Sequence, residues 1–394
     1  MIGRFGLASP NPHTWANIEL SYEFAPRHFW QPENRSSELL LIAPAVWVAQ
    51  LGWSHFDIRV MGIIHGALYC AAFFWWQRVH RSPWVAIAFL LMFTDASYVT
   101  YMNSFYTDAG ALLFLLLTIV AAGARNLPAA ALFAMLLVTA KPQHSLLALP
   151  LAAWLILQFP IKRSIAWAGA LLAAALASYL AMPYQEKAEP LFTVIFSKVA
   201  LGEPAALSEI GLDSTYAPQI GKFAYNPESP LQDPAWRAEF IRRTSHFKLI
   251  SYYLRHPLRA IHFIHEDLRT HAPEIRSVSL GNYPSSAGKP PGTLSTAFGY
   301  WSAARSWLIR NFPFHIWIWF ATALIFSIVR RQALLAATLA MALIELAGCT
   351  LADAAETSRH LFLFHALTDL SVLLCLKTLI SGPVESDGIS SPSR

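Results

Sequence analysis

Two aspartates stand where neighbouring apolar stretches of the sequence meet, and carboxylates in that position could do chemistry. Asp95 lies in FTDASYVTY and Asp108 lies in NSFYTDAGALL, on either side of one short connection. Both would face one membrane surface, where they could act as a general base or coordinate a divalent cation, Mg²⁺ or Mn²⁺, that bridges a phosphate leaving group. Asp108 could equally be a helix N-cap in favourable contact with the helix dipole.

Basic side chains occupy other short connections that we predict on the same side. Those that could hold a pyrophosphate or a lipid phosphate are Arg359, His360, Lys141, His144 and Lys289. Arg359 stands at the start of an apolar stretch, where the helix dipole disfavours a cation. Its presence is explained either by an anionic ligand or by pairing with Glu356.

Three ionisable side chains lie inside apolar stretches, where insertion into lipid costs about 2.5–3.5 kcal/mol for each charged group. They are Glu345, His365 and Asp369. If their two antiparallel helices are neighbours, Glu345 and His365 lie at one depth and form a structural hydrogen bond. A proton relay through all three residues is the functional alternative, and it would suit a transporter.

Other motifs of known chemistry are weak or absent. His262, His265 and Glu266 in HFIHE superficially resemble a zinc helix, but the order differs from HExxH, so we predict no metal site there. The sequence has no Walker loop, no glycine-rich dinucleotide turn and no GxSxG elbow. The net charge of +5 does not indicate a nucleic-acid partner, because Lys and Arg are spread between apolar stretches and form no basic stripe.

The amino-acid composition indicates what class of protein holds these candidate site residues in place. The chain has 394 residues, of which 55% are hydrophobic and 13% charged, whereas soluble domains carry about 25% charge. Too few polar groups remain to cover a water-facing surface, so lipid must cover the rest. Cys70, Cys349 and Cys375 all fall in apolar stretches and are expected to be packing residues.

Nine apolar stretches predict an all-α polytopic membrane protein with about nine transmembrane helices. They are 57–77, 84–101, 107–124, 127–140, 145–159, 164–183, 313–329, 333–351 and 361–380. Lys and Arg stand at every second junction, which predicts that those junctions are cytoplasmic and the opposite ones extracytoplasmic.

The same topology divides the chain into five predicted segments. They are an extracytoplasmic N-terminal segment with an interfacial helix (1–56), a six-helix transmembrane region (57–183), a large extracytoplasmic loop domain (184–312), a three-helix transmembrane region (313–380) and a disordered cytoplasmic tail (381–394). Residues 39–53 are expected to form the interfacial helix, and amphipathic helices within 233–271 should pack on the same membrane surface. Nothing hydrophobic precedes the first segment, so we expect that an N-terminal helix is missing from this chain.

Five motifs spread over most of residues 40–380 resemble those of bacterial GT-C glycosyltransferases, and most closely the glycan-biosynthesis hexose transferase type. They are FDIRVMGIIHGAL, NSFYTDAGALLFLLL, YYLRHPLRAI, GNYPSSAGKPPG and SRHLFLFHALTDLSVLL. The resemblance implies a GT-C-like fold in which Asp108 is the acid of the second outer loop. It also implies that Arg359 and His360 lie near the phosphate of a sugar donor, with His256 beside that donor.

One feature of the resembling family has no counterpart in the sequence. The first outer loop of these enzymes usually supplies the main catalytic acid, whereas Glu19, Glu23 and Glu33 here sit in no convincing motif. A chain that lacks this acid could be a non-catalytic relative.

The resemblance implies an enzyme of the bacterial cytoplasmic (inner) membrane whose active face is extracytoplasmic. It would transfer a sugar, expected to be a hexose, from a polyprenyl-phosphate donor to a surface glycan or a lipid-linked acceptor, with membrane lipid around it. The alternative is a transporter or flippase of lipid-linked saccharides.

Overall fold

The nine apolar stretches all fold as helices in the computed structural model, which describes residues 2–9, 19–26, 36–226, 228–276, 280, 288–290 and 293–380. The α-helices are α1 (Leu39–Ala49), α2 (Arg59–His80), α3 (Pro83–Phe93), α4 (Ala96–Val99), α5 (Asp108–Gly123), α6 (Leu127–Ala140), α7 (Ala148–Gln158), α8 (Ile161–Leu180), α9 (Tyr184–Val194), α10 (Ala206–Glu209), α11 (Pro234–Arg243), α12 (His246–Arg255), α13 (Pro257–Thr270), α14 (Tyr300–Asn311), α15 (His315–Val329), α16 (Ala333–Leu351), α17 (Thr357–His360) and α18 (Phe362–Ile380). Short 3₁₀ turns cover Ile2–Phe5, Thr100–Asn103, Pro142–Leu147, Ser214–Gln219 and Pro230–Gln232, and Ile195–Val199 is a π turn. The predicted tail 381–394 and most of the GNYPSSAGKPPG motif lie outside the described residues.

Fewer than nine of these helices are long enough to cross a membrane alone. Among the described residues, four helices have the length and apolarity of a span: α2, α8, α16 and the combined segment Thr357–Ile380. Two bent pairs, α3 with Ala96–Asn103 at 56° and α14 with α15 at 106°, raise the number to six if each pair is one span. The number nine therefore stays a prediction.

The burial of α5 inside the bundle shows why an apolar stretch can be shorter than a membrane span. It has 16 residues, about 24 Å at 1.5 Å per residue, and every residue from Asp108 to Leu116 is buried. The helix packs against α2, α6 and α18. A helix that is apolar all round belongs inside a bundle rather than against lipid, so α5 is the buried centre around which the other helices pack.

The cations that alternate along the sequence gather at one end of the bundle. Arg125, Lys162 and Arg163 line one cavity there. The end of α2 meets the end of α5, because the His80 ring lies against Gly123. Arg125 is also one of three arginines in the left-handed conformation that follow helices at this end; the others are Arg81 and Arg331, and their φ angles are 53°, 49° and 52°. Cations from two of the junctions predicted as cytoplasmic thus lie together, and the orientation in the membrane stays a prediction.

The N-terminal segment departs from the all-α prediction. Strands β1 (Leu7–Ala8), β2 (Ser21–Phe24) and β3 (His55–Asp57) form an antiparallel sheet in the order β1-β2-β3. Tyr22 of β2 pairs with Phe56 of β3, and both rings pack on Phe105, with centroids 5.0 and 5.9 Å from it. Strands of two to four residues are too short for an alternating pattern to be read from the sequence. Residues 39–53 contain a helix as predicted, α1, and its position at a membrane surface stays a prediction.

The loop domain has a core of its own and an exposed apolar face. Phe192, Trp236 and Phe240 pack together in that core. In contrast, Phe247 of α12 and Leu258 of α13 are 84% and 82% exposed. These helices are amphipathic as predicted, and an exposed apolar face of this kind suits a membrane surface.

One buried ion pair fastens the loop domain to the bundle. Lys198 lies in the π turn and donates to Asp267 of α13 at 2.6 Å and to the Thr350 carbonyl of α16 at 2.9 Å. Single π turns are rare, and this one places Lys198 where both acceptors can be reached. The last turn of α16 is therefore held against the loop domain.

Candidate functional site

Asp108 lies between two cations at one end of the bundle. The opposite end carries Arg81, Arg125 and Arg331, and we call it the arginine-rich end. Asp108 is 2% exposed. Lys141 Nζ lies 3.6 Å from Oδ1, and Arg359 NH1 lies 3.4 Å from Oδ2. Thr107 rather than Asp108 occupies the N-cap position of α5, so the simple capping interpretation is wrong. The carboxylate still benefits from the helix dipole, because it stands in the first turn.

Arg359 has several partners in addition to Asp108. Its NH2 donates to Glu356 at 2.8 Å and to Nε2 of His360 at 2.8 Å. The guanidinium carbon lies 4.7 Å from the centre of the Tyr106 ring, in cation–π contact. The predicted pairing with Glu356 is therefore present, and it occurs together with a second, buried carboxylate.

His360 is held from its other side by Asp353, in the connection between α16 and α17. His360 Nδ1 lies 2.7 Å from Asp353 Oδ2, and the Ala355 amide donates to Asp353 Oδ1 at 2.9 Å. Burial alone would raise the pKa of Asp353, but His360 and the Ala355 amide outweigh it and hold the pKa below its ordinary value. A carboxylate on Nδ1 fixes the orientation of an imidazole, so Nε2 of His360 is aimed at Arg359.

We call Asp108, Lys141, Asp353, Arg359 and His360 the Asp108 cluster. They come from three separate connections of the chain, each predicted on the same side of the membrane. The loop domain reaches the cluster as well, because Tyr225 lies within electrostatic range of Asp353 and Arg359. The cluster can therefore present two permanent cations and an oriented imidazole to an anionic group.

Glu345 borders the cluster but does not contact His365. Its Oε1 lies 2.7 Å from His144 Nδ1, and its Oε2 accepts from Gln143 Nε2 at 2.8 Å. The predicted Glu345–His365 hydrogen bond is therefore wrong. His365 instead bonds the backbone of Ala272. Depth along a helix was inferred correctly, but the two side chains face different neighbours around their helix axes.

Glu38 and His65 were missed by the sequence analysis. Glu38 is fully buried beside the first turn of α5, and its carboxylate lies against Gly110. His65 Nε2 lies 3.1 Å from Glu38 Oε1, and His65 Nδ1 lies 2.9 Å from the Met102 carbonyl. Burial raises the pKa of Glu38, although His65 opposes the shift. An acid directly before an apolar run, SSELLLIAP, was the signal available in the sequence.

Two serines position Glu38. Ser36 Oγ donates to the Ala140 carbonyl and Ser37 Oγ donates to the Leu136 carbonyl, both at 2.6 Å. Both acceptors lie at the C-terminal end of α6, and the Ala140 carbonyl, in the last turn, lacks a partner within the helix. The segment before α1 is thus fixed to the same end of the bundle as Lys141.

With this geometry established, the family of the chain can be stated. Residues 13–391 match the protein family described as the YfdI N-terminal transmembrane domain. The chain belongs to the YfdI family. Together with its apolar helices, the match shows a multi-pass membrane protein. No curated protein matches the chain, and no solved structure matches it.

In this YfdI-family chain, the second predicted aspartate lies in a different network from Asp108. Asp95 Oδ1 accepts from the Ser97 amide and Oδ2 from the Ser302 amide, both at 2.9 Å. Asp95 therefore caps α4 and also binds the first turn of α14. The expectation that one hairpin brings Asp95 beside Asp108 is not met.

Asp369 lies within electrostatic range of Asp95. Its Oδ2 accepts from Tyr98 at 2.6 Å, from Trp301 at 2.8 Å and from Arg305 at 2.8 Å. Arg305 was not singled out in the sequence, because it belongs to the predicted loop domain, where an arginine is expected to face solvent. These contacts join α3–α4, α14 and α18.

The predicted phosphate-binding residue His256 has its contacts outside the Asp108 cluster of this YfdI-family chain. His256 Nε2 lies 2.9 Å from Glu209 Oε2 and its ring packs on Tyr252, all within the loop domain. Lys289 is exposed, and its neighbours 281–287 and 291–292 lie outside the described residues. The structure therefore brings together Asp108, Lys141, Arg359 and His360 from the predicted set, whereas His256 is held within the loop domain.

The donor chemistry of the cluster does not suit a divalent cation. Both oxygens of Asp108 face a positively charged side chain, whereas Mg²⁺ and Mn²⁺ need several free oxygen ligands. Within the described ranges, no three His, Cys, Asp or Glu side chains are grouped to hold a metal. In HFIHE, the His265 ring stacks on Phe314 at 4.7 Å.

Proposed function

We propose that this YfdI-family chain is a membrane glycosyltransferase with a GT-C-like arrangement. It transfers a hexose from a polyprenyl-phosphate donor to a surface glycan or a lipid-linked acceptor. One observation carries the proposal: a buried carboxylate, Asp108, lies within 3.6 Å of both Lys141 and Arg359 at one end of an apolar bundle. Since the alternating cations lie at the opposite end, the positive-inside rule puts this end outside the cytoplasm.

The cations of the Asp108 cluster suit the phosphate of the donor. Arg359 offers a planar fork and Lys141 a point charge, and phosphate oxygens accept from both types. His360 accepts from Arg359 and so helps to orient the guanidinium. As the bond from the sugar to the phosphate breaks, negative charge develops on the phosphate oxygens. Fixed cations in a site with little water stabilise such charge strongly.

Glu38 is the carboxylate best suited to accept the proton of the acceptor hydroxyl. Asp108 is paired with two cations, which favour its ionised form and make it a weak base, whereas Glu38 has His65 beside it and a raised pKa. In the proposed step the acceptor oxygen bonds to the anomeric carbon, and its proton passes to Glu38. The bond to the phosphate breaks, polyprenyl phosphate leaves, and a single displacement inverts the anomeric carbon.

The alternative functions receive less support from the contacts. A transporter or flippase relay would need Glu345, His365 and Asp369 to communicate. Glu345 contacts Gln143 and His144, whereas Asp369 belongs to the network of Tyr98, Trp301 and Arg305. The third alternative, a non-catalytic relative, rested on a missing acid, and Glu38 offers a buried carboxylate within electrostatic range of Asp108.

The test is sugar transfer in membranes that carry Asp108→Asn and are supplied with labelled polyprenyl-phosphate hexoses. We expect transfer to be lost at normal expression, because Lys141 and Arg359 lose the carboxylate that orients them. Asp267→Asn is the matched control, since it changes another buried aspartate that pairs with a lysine. Normal turnover of Asp108→Asn, or equal loss in both variants, would remove the cluster from the active site.

A further inference from the structure

A cavity at the arginine-rich end of the bundle has no part in the proposed reaction. Its volume is about 700 Å³, and it lies between the α5–α6 turn and the start of α8. Arg125, Lys162 and Arg163 line it together with Phe159 and Trp167. The cavity and the Asp108 cluster are separated by the length of α5, about 24 Å.

The charge of this cavity is unbalanced. No Asp or Glu belongs to its lining, and nowhere in the described part of the chain does a carboxylate pair with Arg125, Lys162 or Arg163. Two helices, α6 and α8, begin at its wall, so their positive dipole ends add to the same field. A concave surface with three unbalanced cations suits a phosphate group.

Apolar surface continues directly from the cations. Ile161 and Ile165 are 55% and 58% exposed and stand on α8, whose start lines the cavity. Leu157 is 75% exposed and stands in the last turn of α7, just before the cavity residues Phe159 and Pro160. Trp167 belongs to the lining, and tryptophan favours the level of lipid headgroups. A free phosphate would use the cations alone, whereas a phospholipid would use both the cations and the apolar surface beside them.

We propose that this cavity binds the headgroup phosphate of an acidic phospholipid whose acyl chains lie along α7 and α8. The site does not depend on the proposed transferase reaction. Each Lys or Arg near an anionic lipid surface contributes about 1 kcal/mol, or about fivefold in affinity. Loss of all three cations should therefore weaken binding on the order of 100-fold.

The test uses the full chain purified in neutral detergent and titrated with phosphatidylglycerol or phosphatidylcholine, with bound lipid counted by native mass spectrometry. The charge-neutral variant combines Arg125→Gln, Lys162→Gln and Arg163→Gln. The control combines Arg78→Gln, Arg330→Gln and Arg331→Gln, which removes as many exposed cations from the same end without touching the cavity. A third titration uses inorganic phosphate alone.

The proposal expects preferential binding of phosphatidylglycerol by the unchanged chain and by the control, and loss on the order of 100-fold in the cavity variant. Equal binding of the two lipids overturns it, and so does equal loss in both variants. If inorganic phosphate displaces phosphatidylglycerol at equal concentration, the ligand is a free phosphate, and the lipid assignment fails. Transfer activity is not part of the readout, so this result is independent of the Asp108→Asn test.

Discussion

A single methyl group added at Gly110 would test whether the carboxylate of Glu38 must lie where the structure has it. Gly110 stands in the first turn of α5, two residues after Asp108. The Cβ of an alanine there would lie 2.9 Å from Oε2, 3.1 Å from Cδ and 3.2 Å from Cβ of Glu38. Because three atoms of the side chain are too close, rotation of the carboxylate alone cannot relieve the contact.

The size of the effect follows from these distances. Ordinary contact between such atoms begins near 3.4–3.5 Å, so the Glu38 carboxylate must move by roughly 0.5 Å. Crowding of a packed interior costs about 1–3 kcal/mol, and the better helix propensity of alanine returns about 1 kcal/mol. The variant should therefore fold. A reacting group misplaced by 1 Å can lose about 100-fold in rate, so we expect transfer to fall on the order of tenfold.

Gly110→Ala would be compared with Gly169→Ala for hexose transfer in membranes and for thermal stability in detergent. An added Cβ at Gly169, in α8, meets no atom within 4 Å, so that control should transfer at the normal rate. Our reasoning is refuted if Gly110→Ala is stable and transfers as fast as the unchanged chain. In that case the exact position of Glu38 does not matter for the reaction.

Two further changes test the Asp108 cluster. Arg359→Lys keeps the charge but loses the planar guanidinium and its contact with Tyr106. Because one or two charge-assisted hydrogen bonds are lost, we expect kcat/KM for the donor to fall about ten- to 100-fold, mostly through a higher KM. An unchanged KM contradicts the assigned role. Asp353→Asn tests the depressed pKa of Asp353, which stabilises the folded chain above the ordinary value of 3.8 and loses that contribution as pH falls through the folded pKa. Asp353→Asn should therefore melt at a lower temperature than the unchanged chain at pH 7, and the difference should shrink as pH falls below 3.8 and through the folded pKa. A difference that is the same at every pH contradicts the pairing with His360.

Much of the architecture could be predicted because lipid imposes simple rules on sequence. Apolar runs had to become helices, and the cations at every second junction had to fall at one end of the bundle. That second rule was enough to bring Asp108 beside Arg359, residues 251 positions apart. It could also group Lys141 with them, because α6 ends where α5 begins.

The positions of side chains around helix axes could not be predicted in the same way. Asp95 lies one connection before Asp108, yet the chain bends by 56° between α3 and the turn that follows. That bend turns Asp95 toward α14, whose first turn offers a backbone amide. Glu345 and His365 share a depth but not a face. Periodicity states which residues lie on one side of a helix, and it does not state which neighbour that side will meet.

Glu38 shows why a weak local signal does not identify a site residue. Its place depends on Ser36 and Ser37 reaching carbonyls of α6, with sequence separations of 104 and 99 residues. No pattern within the segment announces those contacts. The surrounding stretch 27–35, which contains Glu33, lies outside the described residues, so that acid remains a separate expectation.

The pairing of Glu38 with His65 is difficult to explain by stability alone. Both side chains are almost fully buried, and taking a charged pair out of water costs more than their attraction usually returns. Apolar residues of the same shape would leave the fold as stable or more so. The pair stands against the first turn of α5, beside the Asp108 cluster, and burial raises the pKa of Glu38 toward the range of a useful base. A carboxylate that is costly for folding and well suited to proton transfer is better explained by chemistry on a bound substrate than by packing.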